Sequence, residues 1–367
     1  MGKQKWIWSF TAGLVLLALL LVLFNLRPWE KEKIKIGAII SMSGPVSHLV
    51  AVKDGMQMAV SEVNSWGGIN GRELELIVRD SKSDPEEGKR AFQNIEKEDQ
   101  PLLYVSTVSS VSMRLAPLAK ENQVVLLGLV VGTSEFTRQN KWVYKYFTMP
   151  EDEAGTIANI LAMLKVRKVG ILYQNEEYGI STFQALQKQV EKIGAEMVAE
   201  PFPVKNPDWK ARISGLMETK AISVVGYVKN VYAAILALRE AKYPGHIIST
   251  AGMTNLAGNP EIDGIYVAAP LIYNPNFLFA REVKEKYEAL YGKALTHQAA
   301  SGYDFIKLLA GLLEGREITR EGLRKILEAG FMYPGIFGEI ELEPGKRDII
   351  IPLHPARIVE GKIEFLR

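Results

Sequence analysis

The sequence predicts an α/β chain of two Rossmann-like lobes. Each is a parallel-rich sheet flanked by helices, and a hinge that the chain crosses more than once joins them. A single N-terminal transmembrane helix precedes them. Three observations predict this. Apolar strand runs alternate with amphipathic helical stretches, the alternation restarts at Lys168, and one long uncharged apolar segment stands at residues 6–26.

The N-terminal segment comes first. Residues 6–26 carry no charge, with Lys3 and Lys5 before them and Arg27, Pro28 and a Glu30-Lys31-Glu32-Lys33 run after. About 20 apolar residues span a bilayer. A cleaved signal would have a shorter apolar core and a pair of small residues at its cut site. Here the core ends in Val22-Leu23-Phe24-Asn25-Leu26. Residues 1–28 therefore read as an anchor or uncleaved signal, with cleavage at an atypical site as the alternative. Charge does not orient the span, because Lys and Arg flank both ends. The expectation is that the rest lies outside the cytoplasmic membrane, in the periplasm or the extracellular space.

Strands at 34–40, 73–79, 102–106 and 124–130 alternate with helices at 48–66, after Asp84-Pro85, and at 111–121. Such alternation implies a parallel sheet with helices on both faces. The strands are near-continuous apolar runs, as doubly buried strands should be. The second array has strands at 168–173, 196–201, 223–227, 246–250 and 264–269, and helices at 178–193, 209–219 and 231–241. A third stretch has helices at 275–291, 298–313 and 319–329, a strand at 337–343, and a hairpin at 355–365 turning at Glu360-Gly361-Lys362. It has too few strands for its own sheet, so it packs back onto the lobes. The expected division is 33–150 with 272–340 for one lobe, and 151–271 with 341–367 for the other. Repeated crossing makes a hinge suited to closing on a ligand.

Composition narrows the function. The 367 residues hold 44 Lys+Arg against 42 Asp+Glu, a formal charge of +2, without the basic excess of a nucleic-acid binder. There is no Cys, which excludes disulfides, thiolate metal sites and a lipidated N-terminal Cys. No phosphate-binding loop, dinucleotide fingerprint or nucleophile elbow occurs. His48, His246, His297 and His354 are isolated, without metal-ligand spacing. The carboxylate pairs Glu151/Glu153 and Glu176/Glu177 are not diagnostic. No enzyme, cofactor or metal is expected.

In open parallel sheets, ligands sit beyond the carboxyl ends of strands. Three loops there are rich in small polar residues. They are Ser41-Met42-Ser43-Gly44-Pro45, Ser106-Thr107-Val108-Ser109-Ser110, and Val130-Val131-Gly132-Thr133-Ser134. Each alone reads as a helix cap; together they point to a carboxylate or amide site, since free helix-start N–H groups hold anionic oxygens. The second lobe offers Tyr178-Gly179, Tyr227 and Thr250-Ala251-Gly252-Met253, whose aromatics cover a small ligand or pack on their own helices.

The segments Ile36-Gly37, Ser43-Gly44-Pro45, Asp54-Gly55, Gly67-Gly68-Ile69-Asn70-Gly71-Arg72, Arg79-Asp80 and Ser83-Asp84-Pro85 resemble the start of the type I periplasmic solute-binding proteins. The similar branch is that of the Leu/Ile/Val-binding proteins. The resemblance continues through Ser109-Ser110, Pro117, Glu176-Glu177-Tyr178-Gly179, Leu238-Arg239-Glu240-Ala241 and Tyr303-Asp304. It implies the type I periplasmic binding protein fold, with two lobes on three hinge strands and capture of a small ligand by closure. It also implies amino acid transport with an ABC permease and its ATPase.

The resemblance assigns the ligand carboxylate to Ser109 and Ser110, and a cleft-facing aromatic role to Tyr178. Two positions depart from the family pattern. The third loop reads Val130-Val131-Gly132, with Thr133 one place late for the family's A-x-T segment. Where the family places the acid that pairs with the ligand ammonium, this chain has Ala251. Either another carboxylate substitutes, Asp152 or Glu176, or the ligand is no α-amino acid. Candidate ligand-binding residues are thus Ser43, Ser109, Ser110, Val130, Gly132, Thr133, Tyr178, Tyr227 and Ala251. The leading expectation is a monomeric, membrane-anchored binding component of an importer for a branched-chain amino acid or a related carboxylate or amide. The alternative is a ligand-sensing or interaction ectodomain working with a separate signalling partner.

Overall fold

The computed structural model describes residues 32–138 and 140–366. The segment at 6–26, expected as an anchor, lies outside them. Among the described residues, no helix is long and apolar enough to cross a membrane.

The first lobe begins with β1 (Ile34–Ile40), α1 (Val50–Ser65), β2 (Leu74–Asp80), α2 (Pro85–Glu98), β3 (Leu103–Ser106), α3 (Ser109–Glu121), β4 (Val125–Leu129), α4 (Glu135–Arg138) and β5 (Val143–Phe147). Local chemistry sets these bounds. The Asp84 carboxylate caps α2 by accepting from the N–H groups of Glu86 and Glu87, and Pro85 fills the first helical position. The Gly67-to-Arg72 segment is a tight turn before β2, with Gly67, Gly68, Asn70 and Gly71 all at positive φ.

The second lobe follows: α5 (Pro150–Met163), β6 (Lys168–Gln174), α6 (Glu177–Lys192), β7 (Glu196–Phe202), α7 (Trp209–Ser214), β8 (Ala221–Val225), α8 (Val228–Glu240), β9 (His246–Ser249) and β10 (Tyr266–Pro270). The chain then returns through α9 (Leu278–Tyr291), α10 (His297–Leu313), α11 (Arg320–Glu328), β11 (Phe331–Gly335) and β12 (Gly338–Leu342). It ends in β13 (Asp348–Ile350), β14 (Leu353–Val359) and β15 (Lys362–Phe365).

Among the described residues the first sheet runs β13-β5-β4-β3-β1-β2, all parallel. The second runs β15-β14-β10-β9-β8-β6-β7, parallel except for the two C-terminal strands. Both sheets reverse direction of winding at their first strand, the switch point where such sheets open a crevice. Helices α9 to α11 cover the first sheet, where Val283, Ile306 and Leu323 share one core with Ile36 and Leu127. Helices α1 and α10 touch backbone to side: a Cβ on Gly55 would lie 1.9 Å from the carbonyl oxygen of Ala299. That close approach accounts for glycine in the Asp54-Gly55 pair.

The chain passes between lobes three times: between residues 147 and 150, 270 and 278, and 350 and 353. One expectation needs correction. Residues 341–367 were assigned whole to the second lobe, but Asp348, Ile349 and Ile350 pair with Lys145, Tyr146 and Phe147 in the first sheet. Leu342, Ile349 and Ile351 lie in the first core. Burying these apolar side chains along the edge strand β5 outweighs continuity with β14. The helix expected at 209–219 also ends early, at Ser214, with Gly215 as its C-cap.

Candidate functional site

The loops after β1, β3 and β4 meet the second lobe around a cavity of about 530 Å³, part of it open to solvent. Its first-lobe wall holds Ser109, Val130 and Gly132; its second-lobe wall holds Glu153, Tyr178 and Tyr227. Val46, Leu49, Val108 and Val228 supply apolar lining.

Helix α3 opens on this cavity without a side-chain cap, its N-cap being Val108. First-turn N–H groups and the positive end of the helix dipole suit an anionic oxygen there. Ser109 is buried, and its hydroxyl oxygen accepts from the Gly132 N–H at 3.1 Å, which leaves its O–H free to donate. Val108 and Val130 both adopt positive φ, +69° and +59°, a costly conformation for a β-branched residue. Both follow a strand end and both line the cavity.

Across the cleft, Glu153 projects from the first turn of α5 and is 1% exposed. It accepts a hydrogen bond from the Tyr178 hydroxyl at 2.9 Å and faces the Ala251 N–H at 3.5 Å. Burial pushes its carboxyl up to about 7, although these donors favour the ionised form. Glu176 is also raised to about 7 by burial. Its oxygens are taken by the N–H groups of Tyr178 (3.0 Å) and Gly179 (2.7 Å), so it caps α6. Asp152 lies off the cavity, and burial raises it too. The acid presented beside Ala251 is therefore Glu153, rather than either residue expected from sequence.

The other expected residues divide. Ser110 bridges the lobes, its hydroxyl 3.4 Å from that of Tyr227. Ser43 points away: its hydroxyl donates to Asp80 at 2.6 Å, and it serves the loop after β1. The Thr133 hydroxyl accepts from the Glu135 N–H at 3.3 Å at the start of α4. Ala251 contributes its backbone and is 1% exposed. Ser43, Thr133 and Ala251 are thus not side-chain walls of the cavity. Among the described residues no cluster could hold a metal ion.

A family model described as "Periplasmic binding protein" matches residues 33–362. The chain belongs to the periplasmic binding protein family. Members are extracytoplasmic solute-binding proteins rather than enzymes, and curated relatives that the chain resembles are Leu/Ile/Val-binding proteins. A curated relative, the Leu/Ile/Val-binding protein homolog 1 of Brucella abortus, is 24% identical over 201 residues, covering 54% of each chain. The match thus spans about half the length of that relative. A solved branched-chain amino acid transporter substrate binding protein from Streptococcus pneumoniae, in complex with isoleucine, superposes with a TM-score of 0.83 at 20% identity, over 91% of this chain and 99% of that one. A solute binding protein of an ABC transporter from Rhodopseudomonas palustris, in complex with 3,4-dihydroxy benzoic acid, gives 0.80 at 19%, over 91% and 96%. These likenesses establish the two-lobed fold.

Sequence reasoning missed Glu153, His48, His297 and Phe147 in the cavity wall. A signal for Glu153 existed. It stands four residues before Ile157 and eight before Leu161, on the apolar face of α5, where a solvated acid does not belong.

Proposed function

We propose that the chain is the extracytoplasmic solute-binding component of an ABC-type importer, capturing a branched-chain-type amino acid or a related small carboxylate or amide by closure of its lobes. The observation that carries this reading is the pairing of an open helix start at Ser109 with a buried acid, Glu153, across one cavity. The ligand carboxylate meets the first-turn N–H groups of α3 and the hydroxyls of Ser109 and Ser110. The ligand ammonium meets Glu153, which takes over the charge absent at Ala251. Leu49, Val108 and Val228 face the apolar part. The test is calorimetric titration with amino acids and their des-amino carboxylates. Tight binding of an amino acid with no binding of its des-amino analogue supports the reading; the reverse preference sinks it.

A second reading follows from the raised carboxyl of Glu153. With its carboxyl raised to about 7 by burial, Glu153 is able to hold its proton near neutral pH and donate to a neutral ligand group. A carboxylate lacking an ammonium then fits, and the same titration selects it.

The uncharged segment at 6–26 supports a peptide anchor that keeps a monomeric binding domain beside a permease and its ATPase. Extraction of membranes with alkaline carbonate tests it: an anchored chain stays in the pellet with Met1 or Gly2 at its N-terminus.

A further inference from the structure

The first-lobe side of the cavity carries two polar residues that the reading above leaves unused. His48 sits in the short turn Ser47–Leu49 after β1, and His297 is the first residue of α10. Both line the cavity, as does Gln298. His297 is 1% exposed, and its Nδ1 has no hydrogen-bonding partner among the described residues. Its ring lies beside that of Phe147, centroids 6.3 Å apart and planes 25° from parallel. Both histidines stand on first-lobe elements, whereas Glu153 stands on the second-lobe wall of the same cavity.

We infer that the part of the ligand distant from Glu153 carries an uncharged hydrogen-bonding group, a hydroxyl or a primary amide, held by the imidazoles of His48 and His297. The chemistry narrows the class. Burial lowers His48 to about 4, and burial with the neighbouring His48 lowers His297 to about 3. Both rings are neutral at pH 7, each with one N–H donor and one acceptor nitrogen. Neutral rings give no counter-charge for a second carboxylate or ammonium. A purely aliphatic ligand end leaves the buried Nδ1 unpaired, whereas a hydroxyl or amide both donates and accepts. Around them the wall holds the apolar Val46, Leu49 and Phe147 and the uncharged amide of Gln298. Two imidazoles in such a wall discriminate between isosteres, because a site built to hydrogen-bond rejects the analogue that cannot.

This inference deepens the importer reading but does not require an ammonium on the ligand, and the experiment separates the two. The full-length chain is titrated calorimetrically at pH 7.5 with isosteric pairs: valine and threonine, leucine and asparagine, and the ammonium-free pair 3-methylbutanoate and 3-hydroxybutanoate. The expected result is that, in at least one pair that binds, the polar member binds at least tenfold more tightly. His297→Phe, which keeps an aromatic ring beside Phe147, then reverses the preference. His48→Leu gives the same reversal if His297→Phe does not fold. Binding of every pair within threefold, or tighter binding of the apolar members, overturns the inference while leaving the importer reading intact. Binding confined to the ammonium-free pair overturns the amino-acid reading, and the ratio within that pair decides this one. No binding by any of the six overturns both.

Discussion

Tyr178 of the second lobe rests so close to Gly132 of the first that a Cβ on Gly132 would lie 2.3 Å from the ring's Cδ2. The same ring donates its hydroxyl to Glu153 and is therefore not free to swing aside. Closure of the cleft thus depends on a missing methyl group. Gly132 does not have positive φ, so alanine fits its backbone. We expect Gly132→Ala to weaken ligand binding at least tenfold, about 1.4 kcal/mol. Small-angle scattering at saturating ligand should show a larger radius of gyration than the wild type. Unchanged affinity would mean that Tyr178 yields.

Glu153→Gln keeps the shape and the acceptor for Tyr178 but removes the charge. Leaving a buried ammonium without its partner costs about 2–5 kcal/mol. Amino-acid affinity should fall between about thirty-fold and several-thousand-fold, while affinity for des-amino carboxylates should change little. Equal losses for both ligand classes would assign Glu153 a purely structural role.

The pH dependence has a fixed sign. In the free protein Glu153 holds its proton up to about pH 7, and a neighbouring ammonium lowers that value. Binding therefore expels a proton. Amino-acid affinity should rise by about tenfold per pH unit between pH 5 and 6.5, then level off above pH 8. Titrations in two buffers of different ionisation enthalpy at pH 7 should register proton release. Stability without ligand runs the other way. The folded value lies above the ordinary carboxyl value of 4.5, so this group's contribution is full below pH 4.5 and is lost as pH rises through 7. The melting temperature of Glu153→Gln should gain on the wild type between pH 5 and 8.

Asp304 tests the frame rather than the site. It is buried on α10 and accepts from the Tyr146 hydroxyl and, at 2.9 Å, from the Ile336 N–H, with Tyr333 also bonded to it. It pins the β11–β12 hairpin to β5. Asp304→Ala orphans buried donors at about 1–3 kcal/mol each. Scanning calorimetry should show a lower-melting transition for the first lobe, and Asp304→Asn a smaller loss.

Much of the frame was legible because apolar runs bounded by turn residues admit few alternatives. Ile34–Ile40 follows a charged run and stops before Ser41, and the predicted strand coincides with β1. The family-like Gly67-to-Arg72 and Tyr303-Asp304 segments turn out to be structural, a turn before β2 and the anchor of a hairpin. The strands predicted from sequence do not include β5, although its Val143, Tyr144, Tyr146 and Phe147 favour a strand. Lys145 is fully exposed to no solvent and lies 3.7 Å from Asp348, a partner some two hundred residues away in the chain. Its burial lowers its affinity for a proton.

The site was half legible for the same reason. Ser109, Gly132 and Tyr178 stand next to strand ends or helix starts, where topology alone predicts a ligand. Glu153 lies in an acidic Glu151-Asp152-Glu153 run, and only its spacing to Ile157 and Leu161 marks its third member as the one on the buried face. His48 and His297 come from opposite parts of the chain, and nothing in their spacing brings them together.

The placement of β13 between β12 and β14 has a consequence for synthesis. Among the described residues, the outer edge of β5 is covered only by β13, and the outer edge of β10 only by β14. A nascent chain therefore carries two unpaired strand edges until its C-terminal strands leave the ribosome. Edges of that kind recruit other chains. Neither lobe is a contiguous stretch that can be finished first. The ribosome lays the third hinge crossing last, and one late event seals both sheets.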